Sequence, residues 1–334
     1  MHLKSNLPKK ILVWYDKNKR NLPWRVGKKS PKKLYYRLLS EFMLQQTQVK
    51  TVIPYFQKFI QKYRTLASLS KCSETEVLKL WEGLGYYRRA KNLLISSKML
   101  VKQYNSKLPT TVKEIKKLPG VGDYTANALL GLVHNKPTIA IDGNVRRVFS
   151  RIFNKKESNI NFEKFIEINK KILFGTNRNS DFVEALMEFG ALICKPKDPK
   201  CANCYLNKTC KYFNSSNKIK STKNKMIKNK NYDVFCYVNR KEQIALTKKN
   251  NVGFLKNFNL PRIEETHSEA KTKGWKFLKK YKNSISNMKL NINLYYKFSK
   301  KIPPSFDWYS IYKNKEFIPS FTKKVFSQIV ILFV

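Results

Sequence analysis

Leu118-Pro119-Gly120-Val121-Gly122-Asp123-Tyr124-Thr125-Ala126-Asn127-Ala128-Leu129-Leu130 is the stretch on which the reading of this chain turns. Pro119 and Gly120 end one helix, Gly122 permits a tight turn, and the Ala/Leu-rich residues after it begin another helix. Such a turn points backbone N–H groups outward at a helix N-terminus. The amides of Gly120, Val121 and Gly122 therefore form an anion site suited to one phosphate. A lone G-x-G is also found in a plain helix–turn–helix connection. Preceded by Leu-Pro and followed by Thr-Ala-Asn-Ala, it is a much narrower pattern.

Upstream of this hairpin the chain reads as helical. Leu34, Leu38, Leu39 and Phe42 recur at helical spacing, and so do Val77, Leu80, Trp81 and Leu84, with Gly and Pro punctuation between segments. Downstream, Asn214 to Asn231 holds six lysines, five asparagines and no acid, the composition of a solvated linker. Beyond it the period changes to that of strands. Asp233–Val238 and Gln243–Thr247 form a hairpin joined at Asn239–Glu242, and Leu290–Phe298 alternates as a further strand. The chain is 334 residues long and 42% apolar, enough for two domains with real cores.

Sixty-eight lysines and arginines stand against 22 acids, a formal charge of +46. Both halves are basic, so the excess is no tail. A polyanion is the natural partner, because each neutralised phosphate releases condensed counterions. A lysine-biased genome is the competing source of the same excess. The three histidines lie far apart and form neither a metal spacing nor part of a Ser-His-Asp triad. The apolar runs at Ile11–Tyr15 and Ile329–Val334 are too short for a secretory signal or a membrane span, so a soluble, intracellular protein with no membrane partner is expected.

Four of the six cysteines fall in one short segment, Cys194-x6-Cys201-x2-Cys204-x5-Cys210. Four thiolates from one loop can hold zinc or a [4Fe–4S] cluster. Structural zinc usually shows two C-x2-C knuckles, and here there is one, so the spacing favours the cluster. Cys72 and Cys236 are isolated and read as small core residues.

Two acids stand out by their surroundings. Glu41, in Ser40-Glu41-Phe42-Met43-Leu44-Gln45-Gln46-Thr47-Gln48, sits within an apolar helical segment, where burial would raise its pKa and keep it protonated near neutrality. A solvent-facing helical glutamate is the commoner alternative. Asp142, in Ile139-Ala140-Ile141-Asp142-Gly143-Asn144-Val145-Arg146-Arg147, fits a helix N-cap and can also project into a cleft. Two carboxylates in unlike environments form the usual pattern for cleaving a glycosidic bond.

Together, SEFMLQQTQV, LPGVGDYTANALLGL, AIDGNVRRV and the cysteine set resemble the helix-hairpin-helix, iron–sulfur DNA glycosylases, and within them the MutY, or adenine DNA glycosylase, family. The resemblance is specific over the first 215 residues and weaker beyond. It implies removal of adenine mispaired with 8-oxoguanine or guanine in double-stranded DNA, after the base is flipped out of the stack. By the matching motifs, Glu41 would protonate adenine N7 and Asp142 would steady the oxocarbenium-like sugar as a charge or through a transient bond, with Tyr124 and Asn144 supporting them. Trp24, Arg25 and Glu184 match the adenine pocket. Gln46, Thr47, Leu84 and Tyr86 match residues that wedge into the duplex and meet the opposite base. Gly120, Val121 and Gly122 would hold a DNA phosphate, and the four cysteines a structural [4Fe–4S] cluster. Endonuclease III-like relatives carry a lysine nucleophile where this chain has Tyr124, so a monofunctional enzyme without Schiff-base chemistry is expected. A non-catalytic DNA-binding protein would share the charge, the hairpin and the cysteines, but not the acid pair.

The expected architecture is a mainly α region over residues 1–215, a linker at 216–231, and an α+β domain over 232–334 that resembles the MutT/Nudix fold and senses 8-oxoguanine. Gly253–Pro261 resembles the family's G-L-L…W-E-F-P, Ser284–Asn287 its F-S-H loop, and Ile318–Lys324 its L-P-T-P-x-R-K. Only Ser286 keeps its residue type in that loop. Ile285 and Asn287 replace an aromatic and a histidine, and weaker discrimination of 8-oxoguanine is expected. The Nudix metal box is absent, so no nucleotide hydrolysis is expected. The chain is expected to act as a monomer, in contact with the bacterial nucleoid.

Overall fold

The computed structural model describes residues 1–3, 6–219, 228–250, 252–266, 272–285 and 288–333. The chain divides into two compact units, Met1–Cys72 with Lys91–Lys223, and Ser73–Ala90 with Asn224–Val334.

The first unit is helical. The helix Lys33–Leu44 is its centre, with Tyr35 through Met43 all buried. Burial on every side forces two charged residues of this helix, Arg37 and Glu41, into the interior with Leu38, Leu39 and Phe42. A second core forms where the helices Leu7–Asn18, Gly143–Phe153 and Asn179–Leu192 meet through Ile11, Trp14, Val148, Phe149, Phe182 and Leu186. Trp14 meets Phe189 edge to face at 5.1 Å.

The hairpin enters the helix Asp123–His134 with Gly122 at its N-cap. The left-handed residue of the turn is Gly120, at φ 80°, whereas Gly122 is extended. The turn therefore depends on Gly120, not on Gly122 as the motif suggests. A side chain at Gly120 would also meet Asn92 Nδ2 at 2.6 Å, while one at Gly122 would face open space. Gly122 leaves its amide uncovered; Gly120 makes the bend.

The second unit carries a mixed six-stranded sheet made by β1 (Lys228–Asn239), β2 (Gln243–Leu246), β3 (Arg262–Glu265), β4 (Lys276–Ile285), β5 (Met288–Phe298) and β6 (Asp307–Ser310), in the order β4-β5-β1-β2-β6 with β3 also on β1. β1 and β5 run parallel in register from Lys228↔Met288 to Val238↔Phe298, and the other pairs are antiparallel. Val234, Cys236, Val238, Ile292 and Leu294 point to one face, where Phe321, Val325, Phe326 and Ile329 of the helix Ser320–Ile329 close the core. The region beyond the linker is thus a sheet with helix packed on it.

β1 begins four residues inside the stretch read as linker. Lys228–Asn231 pair with Met288–Asn291, and Asn291 donates to Asn231 Oδ1 at 2.8 Å. Backbone pairing alone extends the strand past the apolar core, and lysine and asparagine there carry no strand pattern. Residues 220–227 of that stretch lie outside the described residues.

In this unit the helix Glu74–Leu80 opens on a capping box of Ser73 and Glu76. Tyr87 packs between Phe258 and Phe317, at 5.5 and 4.9 Å, and its hydroxyl lies 3.1 Å from Ser320 Oγ. Among the described residues no helix is long and apolar enough to cross a membrane.

Candidate active site and cysteine loop

Glu41 is buried in the central helix, only 6% exposed. Loss of water raises its pKa to about 7. Arg37, one turn earlier, and a hydrogen bond with Tyr124 oppose the rise, while the charges of Glu184 and Asp142 add to it. The carboxyl therefore holds its proton around neutrality. Tyr124, in the first turn after the hairpin, is raised well above its ordinary value by burial and by the charges of Glu41 and Asp142. Its hydroxyl also lies 3.2 Å from Met187 Sδ.

Asp142 caps the helix Gly143–Phe153. One carboxylate oxygen accepts from Val145 N–H at 2.7 Å and the other from Asn144 Nδ2 at 2.8 Å. Burial raises its pKa, and these bonds with the Arg147 charge pull the other way. Glu41, Tyr124 and Asp142 thus share one buried electrostatic environment, with Asn144 bonded to the last. The cap reading of Asp142 is realised through the oxygen that takes Val145 N–H, while the other oxygen meets Asn144.

The expected adenine-pocket residues sit in a dense ion network. Glu184 pairs with Arg37 and with Arg25 Nε at 3.1 Å, and accepts from Tyr15. Glu188, one turn on, takes Arg20 through Nε and Nη2, both at 2.7 Å, and Arg25 Nη2 at 3.1 Å. Trp24 is buried and meets Phe56 edge to face at 5.4 Å. Sequence reasoning missed Tyr15, Arg20, Arg37 and Glu188. The visible signal is the four-residue spacing of Arg37 and Glu41 on one helix and of Glu184 and Glu188 on another.

Gln46 and Thr47 lie in the turn between the helices Lys33–Leu44 and Val49–Lys62. Gln46 is exposed and left-handed at φ 58°, a costly backbone for a residue with a side chain. Gln45, not singled out before, donates to Gly120 O at 3.2 Å and ties this turn to the hairpin. Leu84 and Tyr86 belong to the other unit. Leu84 is buried there, and Tyr86 is 41% exposed at φ 48°. Arg89 braces that loop through Nη2, to Leu84 O at 3.1 Å and Gly85 O at 3.2 Å. Ser286 lies outside the described residues.

Cys194, Cys201, Cys204 and Cys210 line one small cavity with Arg151 and Tyr212, and all four are unbridged by disulfides. Among the described residues no three Cys, His, Asp or Glu side chains close on a single-ion site. Arg151 lies 3.5 Å from Cys194 Sγ and donates to Lys195 O at 2.6 Å and Pro196 O at 3.0 Å. Burial pushes the Cys204 thiol up to about 11. The loop also reaches the acid site. Arg147 donates from Nε to Cys194 O at 2.7 Å and from Nη2 to Asn144 Oδ1 at 2.7 Å, and Asn144 in turn holds Asp142. The sequence offered no residue to connect the two places; Arg147 does, from the second arginine of AIDGNVRRV.

The chain is similar to known proteins. A model described as HhH-GPD superfamily base excision DNA repair protein matches residues 39–172, the stretch from Glu41 through the hairpin to Asp142 and beyond. A thermostable thymine-DNA glycosylase structure is 30% identical with a TM-score of 0.55, covering 62% of this chain and 94% of that one. An endonuclease III trapped in a covalent intermediate with DNA shares the fold, at 23% identity and a TM-score of 0.50, over 62% of this chain and 96% of that one. The adenine DNA glycosylase of Buchnera aphidicola subsp. Baizongia pistaciae (strain Bp) is 36% identical over 296 residues, 85% of this chain and 83% of the relative. The chain belongs to the adenine DNA glycosylase family.

Proposed function

We propose that this protein removes adenine opposite 8-oxoguanine or guanine in duplex DNA by hydrolysing its N-glycosidic bond. The observation that carries the reading is the buried Glu41, proton-bearing near neutrality and within the field of Asp142 and Tyr124. Glu41 gives its proton to adenine N7. The C1′–N9 electron pair leaves with the base, and Asp142 steadies the positive sugar as a charge or through a transient bond. Water supplies the hydroxyl at C1′, and its released proton restores the acid. Tyr124 bonds to Glu41, and Asn144 orients Asp142. A tyrosine at position 124 supplies no amine for a Schiff base, so the product is an abasic site with the strand intact.

Arg25 and Glu184, locked in their ion network beside Trp24, shape the pocket for the flipped base. The amides of Gly120, Val121 and Gly122 hold a phosphate at a helix start. By the family motifs, Gln46 and Thr47 in the first unit meet the DNA at the mispair, and so do Leu84 and Tyr86 in the second. Residues 232–334 act as a MutT/Nudix-like sensor of 8-oxoguanine, with Ser286 at its recognition loop.

The four cysteines suit a [4Fe–4S] cluster, because four thiols from one loop line a shared cavity beside the Arg151 guanidinium. When bound, such a cluster cross-links the loop and draws its thiols into the thiolate form. Arg147 then carries the order of that loop to Asn144.

The test is a duplex with one A:8-oxoG pair, treated with alkali after incubation. Cleavage at the adenine, lost in Glu41→Gln, is expected. Tight binding without cleavage overturns the reading.

A further inference from the structure

One face of the sheet in the second unit carries the core. The other carries rings. In register across β1, β5 and β4, Phe235 opposes Tyr295 and Tyr295 opposes Phe277. Tyr295 stacks on Phe235 at 5.2 Å and meets Phe277 edge to face at 5.6 Å. Trp275, just before β4, covers Phe235 and Tyr237 at 5.0 and 4.7 Å. Phe235 is buried beneath this layer, Trp275 and Tyr295 are half-buried, and Phe277 is 53% exposed.

The same face is basic. Strand alternation puts Lys280 and Lys282 of β4 and Lys289 and Lys297 of β5 beside the rings, opposite Asn293, Asn291, Ser284 and Tyr237. Among the described residues, the acids on this face are spent. Asp233 is buried and accepts from Asn293 Nδ2 at 2.7 Å, and Glu264 pairs with Arg262 at 2.6 Å. Lysines on an edge strand such as β4 serve to discourage pairing with another sheet. That role leaves the rings unexplained. Partly exposed rings next to lysines that make no ion pair among the described residues fit a ligand that offers both flat π-surfaces and negative charge. Duplex DNA offers the charge but keeps its bases stacked inside.

We propose that this face binds single-stranded nucleic acid, with bases stacked on Phe277, Trp275 and Tyr295 and phosphates on Lys280, Lys282 and Lys297. This activity is separate from adenine excision and would remain if that reading failed.

The test uses the full chain and a short labelled oligothymidylate. Phe277→Ala is expected to weaken single-strand binding about tenfold, with Phe277→Tyr retaining it. Each of Lys280→Gln and Lys282→Gln is expected to reduce the slope of log K against log salt by about 0.7. Adenine excision from a duplex stays at its original rate in these variants. Photocrosslinks from an iodouracil-substituted strand map to the peptide spanning Trp275–Phe298. Unchanged binding in Phe277→Ala, or crosslinks confined to other peptides, overturns the proposal. Equal loss for a duplex of the same length also overturns it, since the face would then be a general phosphate surface.

Discussion

Replacing Glu41 with glutamine should remove excision and, at alkaline pH, make the protein more stable. The free carboxyl titrates near 4.5, and inside the fold it titrates near 7. Below the lower value both folded and unfolded chains hold the proton, and burial carries no ionic cost. As pH rises through this window the unfolded chain releases its proton first, so the native state loses stability steadily. Above about pH 7 the buried group is ionised and the loss is complete. At roughly 1.4 kcal/mol for each pH unit between the two values, the full loss is about 3 kcal/mol. Glutamine keeps the shape and has no proton to release. Urea unfolding followed by circular dichroism, run for parent and Glu41→Gln at about pH 5 and about pH 8, should show their stability difference widening by about 2.5 kcal/mol in favour of the variant, since part of the loss has already occurred at about pH 5. A difference that stays constant with pH would refute the claim that Glu41 is buried with its proton held, and the acid role would go with it.

The parent's single-turnover excision rate should fall as pH rises above about 7, when Glu41 loses its proton; a rate that climbs there contradicts general acid catalysis by this group. Arg147→Ala removes the bonds to Cys194 O, Gly190 O and Asn144 Oδ1. A stability loss of about 1–3 kcal/mol is expected by denaturation, with a slower chemical step and unchanged DNA affinity. Glu184→Ala removes the acid partner of the buried Arg37 guanidinium and leaves Arg25 with Glu188 alone, and should destabilise by about 3–5 kcal/mol, with Glu184→Gln costing less. Cys204→Ser should lower bound iron and bleach the broad visible absorption of anaerobically purified protein, read by metal analysis and spectroscopy.

The sequence was most informative where chemistry is local. An acid inside Phe-Met-Leu pointed to burial of Glu41, Asp-Gly-Asn to a cap at Asp142, and four close cysteines to one shared cavity. What stayed hidden depends on distance along the chain. Glu184 is satisfied by Tyr15, Arg25 and Arg37, each more than 140 residues away, and no periodicity in a single segment encodes those partners. The register of β1 with β5 is likewise non-local, and its first four residues are lysine and asparagine, which look like solvated chain until a neighbouring strand pairs with them. Gly120 and Gly122 could not be told apart by motif, because the left-handed bend and the uncovered amide both call for glycine. The grouping of Ser73–Ala90 with residues 224–334 was invisible for the same reason, since it rests on Tyr87 meeting Phe258 and Phe317.

That excursion has a practical consequence. A fragment cut after residue 215 would keep the segment 73–90 but strip away its cover. Tyr87, 3% exposed in the whole chain, would face water, and Glu82 would lose Lys323, its ion partner at 2.8 Å. The two pieces of a nicked protein should therefore stay associated and copurify. A shortened version should be sticky and slow to express in soluble form, so removal of the C-terminal region takes away more than the residues cut.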